Sequence, residues 1–449
     1  MSAALDFAAT ARALASGETT AEALASGILD RIGAENSRSH IFISTAAEMA
    51  LEAARRSDER RLAGALLGPL DGMPIAVKDN IAVAGLPKTD GTFYFRDRIA
   101  AQDAGCVARL RAAGAVIIGT LNMHEGALGA TTDNPFWGQC QNPLADGFTP
   151  GGSSGGSGAA VAAGLVPVSL GTDTMGSVRI PAAYCGVWGL KPTRGLVPTT
   201  GLSLLSWTLD SIGPLASSAE GLRITIAAMA GFDREDASSL PTPPDWQDEP
   251  STSRKLTLGI PAYQTLADCE PAVASAFESL LDRLDREGII LHPLKIDGWR
   301  PGEARRAGLL VCEAEAGMLL ADDLDSGRDG FSDDFRSMLS YGRAARAEKL
   351  AGAYRRLMAL GHQCRLALNE VDAILMPTAP QRAFAHGKPA PANQADFTAL
   401  ANISGCPAVA FPLPALDGGL PASAQLMGAP WTEMKLLALA ERLSAPQKD

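Results

Sequence analysis

An α/β fold is predicted for this sequence, and three observations carry the prediction. From about residue 65, runs rich in Val, Ile and Ala alternate with helical segments: MPIAVKD, then AGCVARLRAAG, then AVIIGTLN. Helix followed by a short β-branched run is the pattern of a layered sheet. Apolar residues make up 46% of the chain and charged ones 20%, which suits a large buried core and excludes a disordered chain. Strand character then returns near the C-terminus, in VDAILMPTAP and CPAVAFPLP. The length, 449 residues against a soft prior of roughly 150 per domain, leaves the domain count open.

In chain order, residues 4–32 read as two amphipathic helices separated by SGETT, where Thr19 and Glu22 have capping-box spacing. After the three runs above, AAVAAGLVPVSLG (159–171) is the longest weakly polar stretch. It contains Pro167 and is too short for a bilayer span, which needs about 20 apolar residues. The polar, Pro-rich DREDASSLPTPPDWQDEPSTSRK (233–255) reads as a surface connection between two halves. KLTLGIP follows as a strand, and the stretch from Gly302 to about Asn369 is helical by composition and period. No internal repeat is present, and the Gly/Ser cluster at 151–158 is the one low-complexity segment.

Lys and Arg total 39 against 50 Asp and Glu, so the formal charge of −11 argues against nucleic acid and anionic membrane surfaces as partners. The seven cysteines are scattered, odd in number and free of CxxC or zinc-ligand spacing, the usage of a reducing compartment. The first residues lack a basic start followed by an apolar block, so no signal peptide is expected and the protein reads as cytoplasmic.

The chemistry-bearing stretch is TPGGSSGGSGAAVAAG (149–164), with six glycines and three serines. A linker would lie between domain edges, but this one runs straight into Ala-rich and apolar segments that want burial. A phosphate-cradling GxxxxGK[ST] loop needs lysine where Ser157 stands, and GxGxxG does not fit either. The cluster continues into LGTDTMGSVRIPAAYCGVWGLKPTRG (170–195), which holds a second glycine-flanked serine, Ser177. Gly-Ser loops that bring backbone N–H groups close to a reacting atom are what an oxyanion hole requires. The usual base is missing, because none of the five histidines lies near this segment and no GxSxG elbow occurs. Lysine is a recognised alternative base. Lys78, at the end of the apolar run in GMPIAVKDN, is the candidate, since desolvation favours its neutral form. A lone lysine after such a run is ordinarily a snorkelling surface residue, and it is the serine block that singles this one out. Asp173 and Arg179 flank Ser177 as an expected loop-fixing ion pair, and Cys185 reads as inert core.

With these residues in view, the sequence resembles the amidase signature family of serine hydrolases. The signature block lies at 151–195, with further similarity from about 5 to 230 and from 370 to 440. The resemblance implies one domain over 1–449: a mixed, twisted sheet covered by helices on both faces, its signature core at about 65–230 and 370–440. A variable, largely helical substrate-side segment at about 256–369 would supply the pocket residues. Carried over residue by residue, it implies Ser177 as nucleophile, Ser153 as bridging serine after a cis Gly152–Ser153 peptide, and Lys78 as base. The backbone N–H groups of Thr174, Met175, Gly176 and Ser177 would form the oxyanion hole, and Ala127, Gly129 and Ser154 would contact substrate. No metal or organic cofactor is implied.

The family most often has glycine where Met175 stands, so a narrowed acyl pocket or a rearranged neighbour is expected, and with it a small amide or ureide substrate. CGVWGLKPT and DTMGS resemble the carboxybiuret hydrolases within the family. The alternative is the A-subunit of a glutamine-dependent tRNA amidotransferase complex, whose members usually have glutamine where this chain has Ile180. The expected partner is a small-molecule amide or ureide, not nucleic acid or membrane, and the sequence leaves the oligomeric state open, a homodimer included.

Overall fold

The structure, a computed structural model, describes residues 5–247, 256–262 and 268–444. At the N-terminus α1 (Phe7–Ser16) and α2 (Ala21–Ser39) form as expected. The cap of α2 is Thr20 rather than Thr19: Thr20 Oγ1 accepts from Ala23 N at 3.0 Å. The carboxylate of Asp58, far along the chain, accepts from Ala21 N and Glu22 N at 2.8 and 3.0 Å. Satisfying several first-turn N–H groups from a distance replaces the capping box, and Glu22 instead pairs with Arg55 at 2.7 Å.

Two expected strands form β2 (Pro74–Lys78) and β3 (Val116–Leu121), and the weakly polar run ends in a further strand, β6 (Val168–Thr172); β2 pairs in parallel with both, with α4 (Gly105–Ala112) crossing between β2 and β3. β1 (Phe42–Thr45) adds antiparallel to β3, preceding α3 (Ala47–Leu62). β8 (Ile212–Ala216), β7 (Trp188–Lys191), β12 (Ala408–Leu413) and β13 (Ala422–Met427) continue the sheet antiparallel. β11 (Ala373–Pro377), antiparallel to β13, is followed by parallel β9 (Thr257–Pro261) and β10 (Ile290–Leu294). The result is one mixed sheet of eleven strands in the order β1-β3-β2-β6-β8-β7-β12-β13-β11-β9-β10. A separate two-residue ribbon pairs β4 (Asp133–Asn134) with β5 (Gly138–Gln139).

Alternation along the strands sends side chains to two faces. Ile75 and Val77 of β2 join a core with α4, α7 (Ala219–Met229), α8 (Pro271–Arg286) and α14 (Glu433–Ser444). Ala76 between them faces a second core with α2, α3, α5 (Gly155–Ala162) and α6 (Arg179–Cys185). Helices therefore cover both faces, and each fully buried Leu, Ile or Phe contributes about 1.5–3 kcal/mol.

The segment read as helical holds α9 (Pro301–Leu319), α10 (Ala321–Asp325), α11 (Asp333–Arg343) and α12 (Ala347–Ala367). With α13 (Ala399–Ser404) these enclose a third core that includes Ile374 and Met376 of β11. The Pro-rich connection carries turns and loop through residue 247, and 248–255 lie outside the described residues. Among the described residues no helix is long and apolar enough to cross a membrane.

Candidate active site

Parallel pairing of β2 with β6, in register through Val77 and Leu170, carries their C-terminal residues, Lys78 and Thr172, to the same edge of the sheet. Lys78 Nζ donates to Thr172 Oγ1 and to Ser153 Oγ, both at 2.7 Å. Lys78 and Ser153 are fully buried. Burial strips water from the ammonium and pulls the Lys78 pKa down to about 7, with the Asp210 and Asp173 carboxylates working the other way. Asp210 is itself pushed up to about 6 by burial, against the hydrogen bond from Thr174.

Ser153 precedes α5, and the Gly152–Ser153 peptide is cis. The glycine cluster is explained by close backbone approach: a Cβ on Gly156 would lie 2.4 Å from the carbonyl oxygen of Asn122. His124 N donates to Ser153 O at 3.0 Å. The His124 ring, lowered to about 4 by burial, is neutral near pH 7. No hydrogen bond among the described residues joins a histidine to Ser177.

Ser177 stands in the turn between β6 and α6 and lines a cavity of about 240 Å³. That turn is held from behind. Asp173 Oδ1 and Oδ2 accept from Arg179 Nη2 and Nε, both at 3.0 Å, in a fully buried pair. Arg179 also donates to Asn402 Oδ1 and Gln425 Oε1 at 2.7 and 2.8 Å, tying the turn to α13 and β13. Burial alone would raise the Asp173 carboxyl, but the charge and hydrogen bonds of Arg179 outweigh it and hold it below the usual range. Thr174 Oγ1 donates to Asp210 Oδ1 at 2.6 Å, and Thr398 Oγ1 donates to Met175 O at 2.6 Å. Gly176 has φ +135°, and a Cβ there would lie 2.2 Å from Thr398 Oγ1.

Of the three residues expected to act together, Lys78 and Ser153 meet directly and Ser177 opens on the cavity. No side-chain hydrogen bond joins Ser153 to Ser177; the backbone link is Ser154 N donating to Ser177 O at 3.3 Å. Of the four amides expected to form an oxyanion hole, that of Gly176 donates to Asp173 Oδ1 at 2.7 Å. Those of Thr174, Met175 and Ser177 have no partner among the described hydrogen bonds. Ala127 and Gly129 line the cavity with Thr174, Met175 and Ser177. Ser154 is not among the lining residues: it is fully buried, its hydroxyl donating to Thr172 O at 3.1 Å and accepting from Thr172 N at 3.2 Å. Cys185 is buried and its thiol is pushed well above its ordinary pKa by burial, consistent with inert packing.

Sequence reasoning did not find Thr172, Asp210, Thr398 or Asn402, ordinary polar residues until the fold brings them together. It expected pocket residues from 256–370, and Arg305, Leu309, Cys312 and Met338 come from there. Leu205 and the run Pro391, Ala392, Gln394 and Ala395 come from elsewhere. Among the described residues no group of three or more His, Cys, Asp or Glu could hold a metal ion.

A family model described as Amidase matches residues 23–437. The chain belongs to the amidase family. Among relatives of this amidase, the glutamyl-tRNA(Gln) amidotransferase A-subunit of Chloroflexus aggregans is 36% identical, over 97% of this chain and 95% of that protein. A solved structure described as part of an unexpected vestigial protein complex, revealing the evolutionary origins of an s-triazine catabolic enzyme, is 33% identical. It superposes with a TM-score of 0.89 over 98% of both chains. The 6-aminohexanoate cyclic dimer hydrolase in complex with substrate is 26% identical with a TM-score of 0.85, covering 98% of this chain and 96% of its own. The amidase is thus a hydrolase-family enzyme of C–N bonds on a shared α/β fold.

Proposed function

We propose that this amidase hydrolyses the C–N bond of a small amide or ureide through Ser177, Ser153 and Lys78. The observation that carries the reading is the 2.7 Å contact of Lys78 Nζ with Ser153 Oγ, made by an amine whose pKa lies at about 7. When that amine is neutral the bond reverses: the Ser153 hydroxyl donates to the Nζ lone pair. Lys78 takes the proton of Ser153, Ser153 takes that of Ser177, and Ser177 Oγ attacks the carbonyl carbon. The Thr174, Met175 and Ser177 amides receive the developing oxyanion, a contribution of about 10²- to 10³-fold per donor. Collapse expels the amine, which takes its proton back from Lys78 through Ser153. Water then adds to the acyl-enzyme by the same relay and releases the acid.

The cavity of about 240 Å³ suits a small substrate. Its wall is largely apolar, broken by Arg305, which pairs with Asp396 at 2.6 Å, and by Gln394, whose Oε1 accepts from Tyr184 Oη at 3.2 Å; the N–H groups these pairings leave over would complement a carbonyl-rich ureide. Ammonia or amine release by the purified single chain, from a panel of small amides and ureides, tests the reading. Absence of turnover, with activity appearing only beside partner subunits and glutamine, would favour the second reading, an amidotransferase A-subunit. That reading draws on the 36% identity to such a protein, and against it stand Ile180 and the net charge of −11.

A further inference from the structure

Helix α9 turns one face toward the reaction cavity. Arg305, Leu309 and Cys312 line it, and Gly308 completes the i, i+3, i+4, i+7 set on that face. Glycine is among the poorest formers of a helix interior. Gly308 sits mid-helix with no left-handed backbone that would require it. What it supplies is room. A Cβ built there would lie 3.1 Å from Met175 Sδ and 3.3 Å from Met175 Cε, with Leu209 Cδ1 next at 3.9 Å. The space vacated at 308 is occupied by the thioether of Met175, which itself lines the cavity two positions before Ser177.

We propose that Met175 and Gly308 form a size-matched pair that closes the acyl end of the cavity and restricts this enzyme to amides of short acyl groups. The proposal rests on the amide hydrolysis set out above. A glycine at 175 would leave the space beside α9 open to substrate, whereas methionine fills it and is held in place because Gly308 has no side chain. Selection for acyl length then sits in a loop residue and a helix residue 133 positions apart in sequence (308 − 175). Neither position adds a polar side-chain contact to the substrate. Such a wall discriminates by exclusion, where each methylene changes the preference between substrates by about 10- to 200-fold.

The two positions predict opposite shifts. With the full chain, kcat/KM is measured for propionamide and hexanamide, and their ratio is compared among variants, so that any general effect on the oxyanion loop cancels. Met175→Ala should raise hexanamide relative to propionamide about tenfold or more. Gly308→Ala should lower it, because the new methyl crowds Sδ and drives the flexible thioether toward the cavity. Gly308→Ala also replaces a poor helix former, so its thermal midpoint should hold or rise, and it carries the test alone if Met175→Ala does not fold. Ratios within about twofold of wild type in every folded variant, or shifts of the same sign, overturn the pairing. A second readout separates it from the hydrolysis reading: in Ser177→Ala, calorimetry compares Kd for propionate and hexanoate with and without the same substitutions. A shifted Kd ratio there, with no amide hydrolysed by the chain that keeps Ser177, supports the pair and sinks the hydrolysis. Normal turnover with unmoved ratios in both measurements does the reverse.

Discussion

Two parts of the molecule flank the site, the ends of β2 and β6 with the turn that follows, which carry Lys78, Thr172 and Ser177, and the helices between residues 301 and 367. On the strand side Lys78, Ser153, Asp173 and Arg179 are fully buried, and every one is hydrogen-bonded to named partners. The helical side presents Leu309, Cys312 and Met338 to the cavity beside one charged residue, Arg305, paired with Asp396, and leaves Met318, Tyr341 and Met358 exposed on its outer surface. The difference follows from what each must do. Moving protons needs polar atoms fixed within a few tenths of an ångström, and buried polar atoms are tolerated only when satisfied. Shaping a pocket needs only volume in the right place, which apolar side chains provide without a network.

That contrast can be broken most directly at Ser177. Ser177→Ala should reduce amide turnover by a factor on the order of 10⁴ to 10⁶ while the thermal midpoint stays put, since the residue lines a cavity and fills little volume. Residual turnover of a tenth of wild type would mean that another group attacks. Lys78→Ala should lower kcat by about 10²- to 10⁴-fold with a much smaller change in KM; a changed KM with normal kcat would make the lysine an anchor rather than a base. In the unsubstituted enzyme kcat should climb with pH through about 7 and level off above it, because the amine must be unprotonated to accept. Asp210→Asn removes a negative charge that favours the ammonium form, so the rising limb should move to lower pH.

Arg179→Met probes the strand side by stability rather than rate. Leaving Asp173 buried and unpaired should cost about 3–5 kcal/mol, read as a lower urea midpoint. A midpoint equal to wild type would show that Asn402 and the turn's own amides satisfy the carboxylate unaided. The mildest effect is expected across the cavity, where Leu309→Ala should raise KM by about tenfold and leave the pH profile where it was. A displaced pH limb in that variant would erase the division between the two sides.

How much of this was readable from the residues depends on separation along the chain. The Gly-Ser block and its second serine lie within one continuous stretch, as do β2 with Lys78 at its end and the helical run after Gly302. Local pattern was enough for them. Thr20 displaced Thr19 as a cap because Asp58, supplied by another helix, completes the end of α2. The hydroxyl of Ser154 turned to Thr172 because the loop folds back on β6. Gly176's amide turned to Asp173 for the same kind of reason, a carboxylate brought beneath the turn. The other two partners of Arg179 stand 223 and 246 positions away and carry no marker of their own in sequence. Their role exists only once β7, β12 and β13 have joined the two halves of the sheet.

The distant anchorage of Arg179 has a temporal consequence. During synthesis the chain emerges N-terminus first, so the serine-bearing turn leaves the ribosome long before Asn402 and Gln425 exist to receive the guanidinium. Until they arrive, Arg179 has Asp173 without its two distant acceptors, and the sheet lacks β12 and β13, which pack on α6. A nascent chain therefore carries Ser177 in an unfinished setting while the 246 positions between Arg179 and Gln425 are still being added.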